Sequence, residues 1–200
     1  MEQGMLEIGG GTIHYEIAGS GENLVFCHAA FLDSGMWDGL WADMATRYRI
    51  IRFDMRGFGR SGPVNGPVCR RQDLRDLMAG LGISSAHFVG CSMGGENSLD
   101  LALETPDLVK SLVLINSCPS GFVMQGEAPE GLFEMFDAVQ KGEIERASEL
   151  QLRIWFDGPR RSPEQTNQML RQAAAVMNRR YIANGTFLIA DMTPLAPLSP

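Results

Sequence analysis

Between Asn23 and Asn116 the chain alternates short β-branched or aromatic runs with amphipathic runs of helix length, and this alternation limits the fold more than any other feature. Asn23 to His28, Tyr48 to Phe53, Ala86 to Val89 and Lys110 to Ile115 read as strands. Trp37 to Thr46, Gln72 to Leu81 and the stretch ending at Glu104, before Pro106, read as helices. In the second of these, Leu74, Leu77, Met78 and Leu81 share one face, and Gly82 supplies the stop. Strands separated by helices need crossover connections, so neighbouring strands run parallel and helices cover both faces of the sheet. The expected class is therefore α/β, with a mostly parallel sheet and flanking helices. Leu6 to Ile17, folded around Gly9-Gly10-Gly11, adds an opening β-hairpin.

The pentapeptide Gly90-Cys91-Ser92-Met93-Gly94 lies where the strand Ala86–Val89 gives way to a helix. A serine on such a turn projects its hydroxyl, and the tight backbone needs small residues on either side. With 23 Gly and 13 Ser in the chain, the pattern arises by chance only about 0.2 times. Acyl transfer by serine also needs donors for the developing oxyanion. The Met93 N–H, at the start of the following helix, is placed to be one. The loop His28 to Trp37, after the first parallel strand, is placed to supply another.

After Cys118-Pro119 no strand-like run appears until Thr186 to Ala190. Three helical segments intervene. Leu132, Phe133, Phe136 and Val139 share a face in the first, and Glu143 to Phe156 forms the second. Ser162-Pro163-Glu164-Gln165 opens the third with an N-cap signature, and its expected apolar face is Met169, Leu170, Ala173, Val176 and Met177. This reads as a helical cap over a sheet, dividing the chain into a core (1–118), a cap (119–185) and a return segment (186–200).

Three motifs in order resemble the α/β-hydrolase family: the His28 loop with Trp37, the turn Asp54-Met55-Arg56-Gly57-Phe58-Gly59-Arg60-Ser61, and the elbow Gly90 to Gly95. The resemblance covers nearly the whole chain and is closest to cap-bearing esterases, enol-lactone hydrolases and cofactor-free haloperoxidases. It implies Ser92 as nucleophile and the N–H groups of Ala30 and Met93 as oxyanion hole. It also implies a small, fairly apolar ester, lactone or related carbonyl substrate, with no cofactor and no metal. Ala29 stands where the family has Gly. In the family the acid and His follow the last two strands, so this chain is expected to be truncated before them and weak or inactive alone. Its histidines, His14, His28 and His87, all precede Ser92. Asn116 sits near an alternative acid position but carries no charge, and Asp191 is expected to be structural. Phe31, Phe122, Met124, Trp155 and Phe156 are candidates for an apolar pocket, Phe31 and Trp155 foremost.

Other classes are disfavoured. A net charge of −7 argues against nucleic acid, because phosphate binding needs clustered Lys and Arg. Arg160-Arg161 with Arg179-Arg180 reads as solvated helix ends. Gly57-Phe-Gly-Arg-Ser-Gly62 matches a dinucleotide fingerprint, but the prolines after it leave no helix N-terminus for a pyrophosphate. No stretch of 18 apolar residues suggests a membrane span, and four scattered cysteines without a Cys-x-x-Cys pair fit a reducing, cytoplasmic setting. The alternative to an enzyme is a non-catalytic module that binds a ligand, a second copy or a complementing chain. Leu112 to Ile115, left as an apolar sheet edge, is the feature behind that alternative.

Overall fold

A computed structural model of the protein describes residues 1–64, 68–122 and 125–185. Met124, Asp191 and the strand expected at Thr186–Ala190 lie outside them.

Among the described residues six strands form one sheet: β1 (Glu2–Ile8), β2 (Gly11–Ala18), β3 (Asn23–Cys27), β4 (Arg49–Phe53), β5 (Ala86–Cys91) and β6 (Val109–Ile115), in the order β1-β2-β4-β3-β5-β6. The opening hairpin pairs antiparallel, and β2 pairs antiparallel with β4. The pairs β4–β3, β3–β5 and β5–β6 are parallel, as the alternation of strands and helices requires.

Each central strand is apolar on both sides because both faces of the sheet are covered. Val25 and Cys27 of β3 pack with Ile51, Phe53 and Phe88 against α2 (Arg70–Gly80), which contributes Leu74, Leu77 and Met78, and against Leu101 of α3 (Met93–Glu104). The alternate residues Leu24 and Phe26 join Ile50 and Trp37 on the other face, where α1 (Asp38–Met44) adds Trp41 and Met44. Of the cysteines, Cys27 is buried, while Cys69, Cys91 and Cys118 are half-buried and unbridged.

Polar groups enclosed beside the core are paired. Arg56 forms a bidentate bridge to Asp73, with Nε 2.7 Å from Oδ2. Asp54 accepts the N–H groups of Ser34 and Arg60, each at 2.8 Å, which ties the loop after β3 to the turn after β4. Burial raises the Asp54 carboxyl, but those hydrogen bonds outweigh it and hold the group below the ordinary carboxylate range.

The helical segments are α4 (Leu132–Gln140), α5 (Ile144–Leu152), which runs on through a wider π turn at Arg153–Asp157, and α6 (Gln168–Ala183). Three details differ from the sequence-based expectation. Of the face expected on α4, Val139 is buried and Leu132 and Phe136 pack against the core, but Phe133 is 76% exposed and Met135 and Ala138 are buried as well. The Ser162 signature caps only a short turn, where Gln165 Oε1 accepts the Ser162 N–H at 2.8 Å. α6 starts separately, with Asn167 Oδ1 accepting the Leu170 N–H. Finally, α6 buries Ala174, Ala175, Asn178, Tyr181 and Ile182, whereas Met169, Leu170 and Val176 face outward. The bulkier face lost because the contact against α5 is close, and alanines admit it.

Phe88, fully buried in β5, sits at the centre of the main core. Phe88→Ala is expected to cost about 3–5 kcal/mol, read as a lowered midpoint in urea unfolding followed by circular dichroism. A loss under about 1 kcal/mol would place the core elsewhere.

Candidate active site

Ser92 lies between β5 and α3 with φ +50° and ψ −119°, a left-handed backbone that a serine adopts only when its surroundings enforce it. Two glycines allow those surroundings. A Cβ on Gly90 would lie 2.5 Å from Gly95 Cα, and one on Gly94 would collide with the Cys27 carbonyl. Their bare backbones let α3 approach β5 and β3 closely. The Ser92 N–H donates to the Ile115 carbonyl at 2.9 Å, anchoring the turn to β6, and Ser92 O accepts the N–H groups of Gly95 and Glu96, each at 3.0 Å. The positive end of α3 therefore begins beside the Ser92 hydroxyl.

Ser92 opens onto a cavity of about 230 Å³. The sheet side supplies Ala30, Phe31, Cys91 and Asn116, and the helical side supplies Gln151, Trp155 and Asn178. Among the described residues, none that lines it is charged. An engineered cavity of about 150 Å³ admits benzene, so this one has room for a small ligand. Of the residues expected here, Ala30, Phe31, Ser92, Trp155 and Phe156 meet at the cavity. Met93 opens α3 next to it, whereas Phe122 is 57% exposed and does not line it.

Three non-glycine residues have positive φ among the described residues: Phe31 at +65°, Ser92 at +50° and Asn116 at +51°. All three line this cavity. Phe31 is held by rings on two sides, Trp155 at 6.5 Å between centroids and Tyr181 at 5.6 Å. Tyr181 also stacks on Phe58 of the turn after β4, at 4.5 Å and 8°. Thus α6 and the loop that carries Ala30 share one aromatic stack.

None of His14, His28 and His87 lines the cavity with Ser92. His28 is fully buried; Nδ1 donates to the Ala29 carbonyl at 2.8 Å, and Nε2 accepts the Met55 N–H at 2.9 Å. Both nitrogens are occupied in holding the loop after β3. His14 lies on β2, with Nδ1 3.7 Å from Asp54 Oδ2. His87, at the opposite end of β5 from Ser92, contacts Ser111 and Glu22. Five steps along the strand separate the two by about 16 Å.

The residues Gln151 and Asn178 were not legible as site residues in the sequence. A signal existed: each lies on the buried face of its helix, with Ala147, Ser148 and Leu152 on α5 and with Ala174, Ala175, Tyr181 and Ile182 on α6. Helical spacing groups them with those neighbours, but which face is buried is decided by packing that residue type does not record.

Residues 22–189 match the model of the alpha/beta hydrolase fold family. The chain belongs to this family. Among its alpha/beta hydrolase relatives is a pimeloyl-[acyl-carrier protein] methyl ester esterase of Nitrosomonas europaea, 31% identical over 121 residues, a match covering 60% of this chain and 47% of that one. Another is a 2-hydroxy-6-oxo-6-phenylhexa-2,4-dienoate hydrolase of Comamonas testosteroni, 34% identical over 136 residues, covering 62% and 46%. The matches span about half the length of these curated relatives. The crystal structure of an enol-lactonase from Burkholderia xenovorans superposes with a TM-score of 0.74 at 22% identity, over 96% of this chain and 75% of that one. That likeness concerns the alpha/beta hydrolase fold. No helix among the described residues is long and apolar enough to cross a membrane.

Burial pushes the His28 imidazole down from 6.5 to about 4. The folded state thus keeps it neutral where the unfolded chain takes up a proton. Its contribution to stability is complete above pH 6.5 and is lost on acidification between 6.5 and about 4. In an NMR titration the His28 ring carbons are expected to move with a midpoint near 4, and a midpoint near 6.5 would contradict this placement.

Proposed function

We propose that this chain carries the nucleophile, oxyanion hole and helical cap of a serine hydrolase for a small, neutral, mostly apolar ester, lactone or related carbonyl compound. The observation that carries this reading is the convergence of left-handed Phe31, Ser92 and Asn116 on one uncharged cavity. Strained backbone persists where the surroundings over-determine it, and such positions cluster at working sites. In the proposed reaction Ser92 Oγ attacks the carbonyl carbon and loses its proton to water, and the N–H groups of Ala30 and Met93 receive the oxyanion. Collapse of the tetrahedral adduct breaks the ester C–O bond and releases the protonated alcohol, and water then cleaves the acyl-Ser92 to free acid and Ser92. A charged substrate would be desolvated without a counter-ion, which is why a neutral one fits.

None of the 3 histidines takes the hydroxyl proton in this scheme. Hydrolysis by the 200 residues then rests on binding and oxyanion stabilisation, about 10³–10⁴ over water. A fluorophosphonate is expected to label Ser92 slowly, as read by peptide mass spectrometry, and Ser92→Ala to abolish labelling. Labelling elsewhere, or turnover in the ordinary esterase range that survives Ser92→Ala, would overturn the scheme.

A second reading is favoured by β6, the last strand in the sheet order, whose Val113, Leu114 and Ile115 are 52%, 42% and 41% exposed. Here the chain binds through that edge, to a second copy or a complementing chain. Light scattering is expected to show association of the unaltered chain and a larger monomeric fraction for Val113→Lys. Equal masses for the two proteins would remove this reading.

A further inference from the structure

The helical wall of the cavity carries two buried amides. Gln151 of α5 and Asn178 of α6 line it and are 1% and 2% exposed. They are joined, Asn178 Nδ2 donating to Gln151 Oε1. Gln151 Nε2 in turn donates to Met135 Sδ at 3.4 Å. A thioether accepts and never donates, so the Met135 sulfur decides which end of Gln151 is which. Gln151 must turn its NH₂ to the sulfur and its oxygen to Asn178, and Asn178 must answer with its own NH₂. Asn178 Oδ1 is left over, buried and without a hydrogen-bond partner among the described residues. Nearly all buried acceptors are satisfied by protein, water or ligand, and an unmade hydrogen bond there is costly.

We propose that Asn178 Oδ1 determines specificity by accepting a hydrogen bond from a neutral donor, a hydroxyl or an amide N–H, carried by the substrate at the end remote from its reactive carbonyl. The inference rests on the reading of the cavity as the substrate site of a Ser92 hydrolase. Ser92 stands on the sheet wall and Asn178 on the helical wall, so one ligand lying across the cavity meets both. The wall covers the oxygen as the cavity stands, and the broad χ2 well of an amide lets a donor draw it out. A terminal carboxylate is rejected twice. It brings no proton to an acceptor, and no lysine, arginine or histidine lines the cavity to pair with it. Gln151 is a positioning residue: held by Met135, it keeps the Asn178 oxygen free.

Calorimetric titration of the whole chain with three methyl esters of equal chain length tests this: methyl ω-hydroxyhexanoate, methyl hexanoate and monomethyl adipate. The hydroxy ester is expected to bind about ten-fold tighter than the hexanoate, with the adipate weakest. Asn178→Leu is expected to abolish the preference, weakening the hydroxy ester and strengthening the hexanoate. Equal affinity for hydroxy ester and hexanoate, or tightest binding of the adipate, would overturn the inference. If Asn178→Leu does not fold, the three-ester ranking on the unaltered chain decides alone. Backbone amide shifts of Phe31 and Trp155 report occupancy of the cavity. Shifts with all three esters but no ranking remove only the role of Asn178, whereas no shifts with any ester remove the cavity as substrate site and this inference with it.

Discussion

The close approach of α3 to β5 and β3, with no side chain between, governs the rest of the molecule. Gly90 and Gly94 leave room for backbone to lie on backbone, and the turn between strand and helix becomes too sharp for an ordinary conformation. Ser92 takes up that sharpness as a left-handed φ, secured by its N–H on the Ile115 carbonyl. The same contact brings the carbonyl end of β3 to the foot of α3, so the loop after β3 must turn away across the mouth of the cavity. Placement of Ser92 and of the loop facing it are two results of one packing decision.

Charge is kept out of that region and concentrated elsewhere. Arg52, Glu16 and Asp38 pair behind the sheet, Arg56 and Asp73 pair beside α2, and Asp157 binds Arg171 at 3.0 Å at the far side of the helices. Buried ions stay where partners satisfy them. The cavity keeps only neutral polar groups, and the low dielectric that results strengthens whatever hydrogen bonds a ligand makes there.

Much of this was legible in the sequence, for physical reasons that differ by element. The parallel sheet was readable because Leu24 to Cys27 is apolar at every position and Ile50 to Phe53 is broken only by Arg52, as strands covered on both faces tend to be. That Ser92, Ala30, Phe31 and Trp155 share one cavity was readable because a Gly-x-Ser-x-Gly turn, a loop after a strand and large rings announce themselves by residue type. The helices were harder. On α6 the bulky Met169, Leu170 and Val176 suggested the wrong face, because close helix contact selects small residues and hydrophobicity does not record that. Gln151 and Asn178 were hidden by the same habit of reading, since a polar residue on an amphipathic helix is taken for solvent-facing until its neighbours are known.

The stack running from Trp155 through Phe31 and Tyr181 to Phe58 crosses from helices to core without a break. Phe31 follows directly on Ala30, and its left-handed backbone relies on the rings that clasp it. A displacement of α6 that widened the cavity would withdraw Tyr181 from Phe31 and let that residue relax toward ordinary dihedrals. The width of the cavity and the strained turn at Phe31 are thereby coupled through one set of ring contacts.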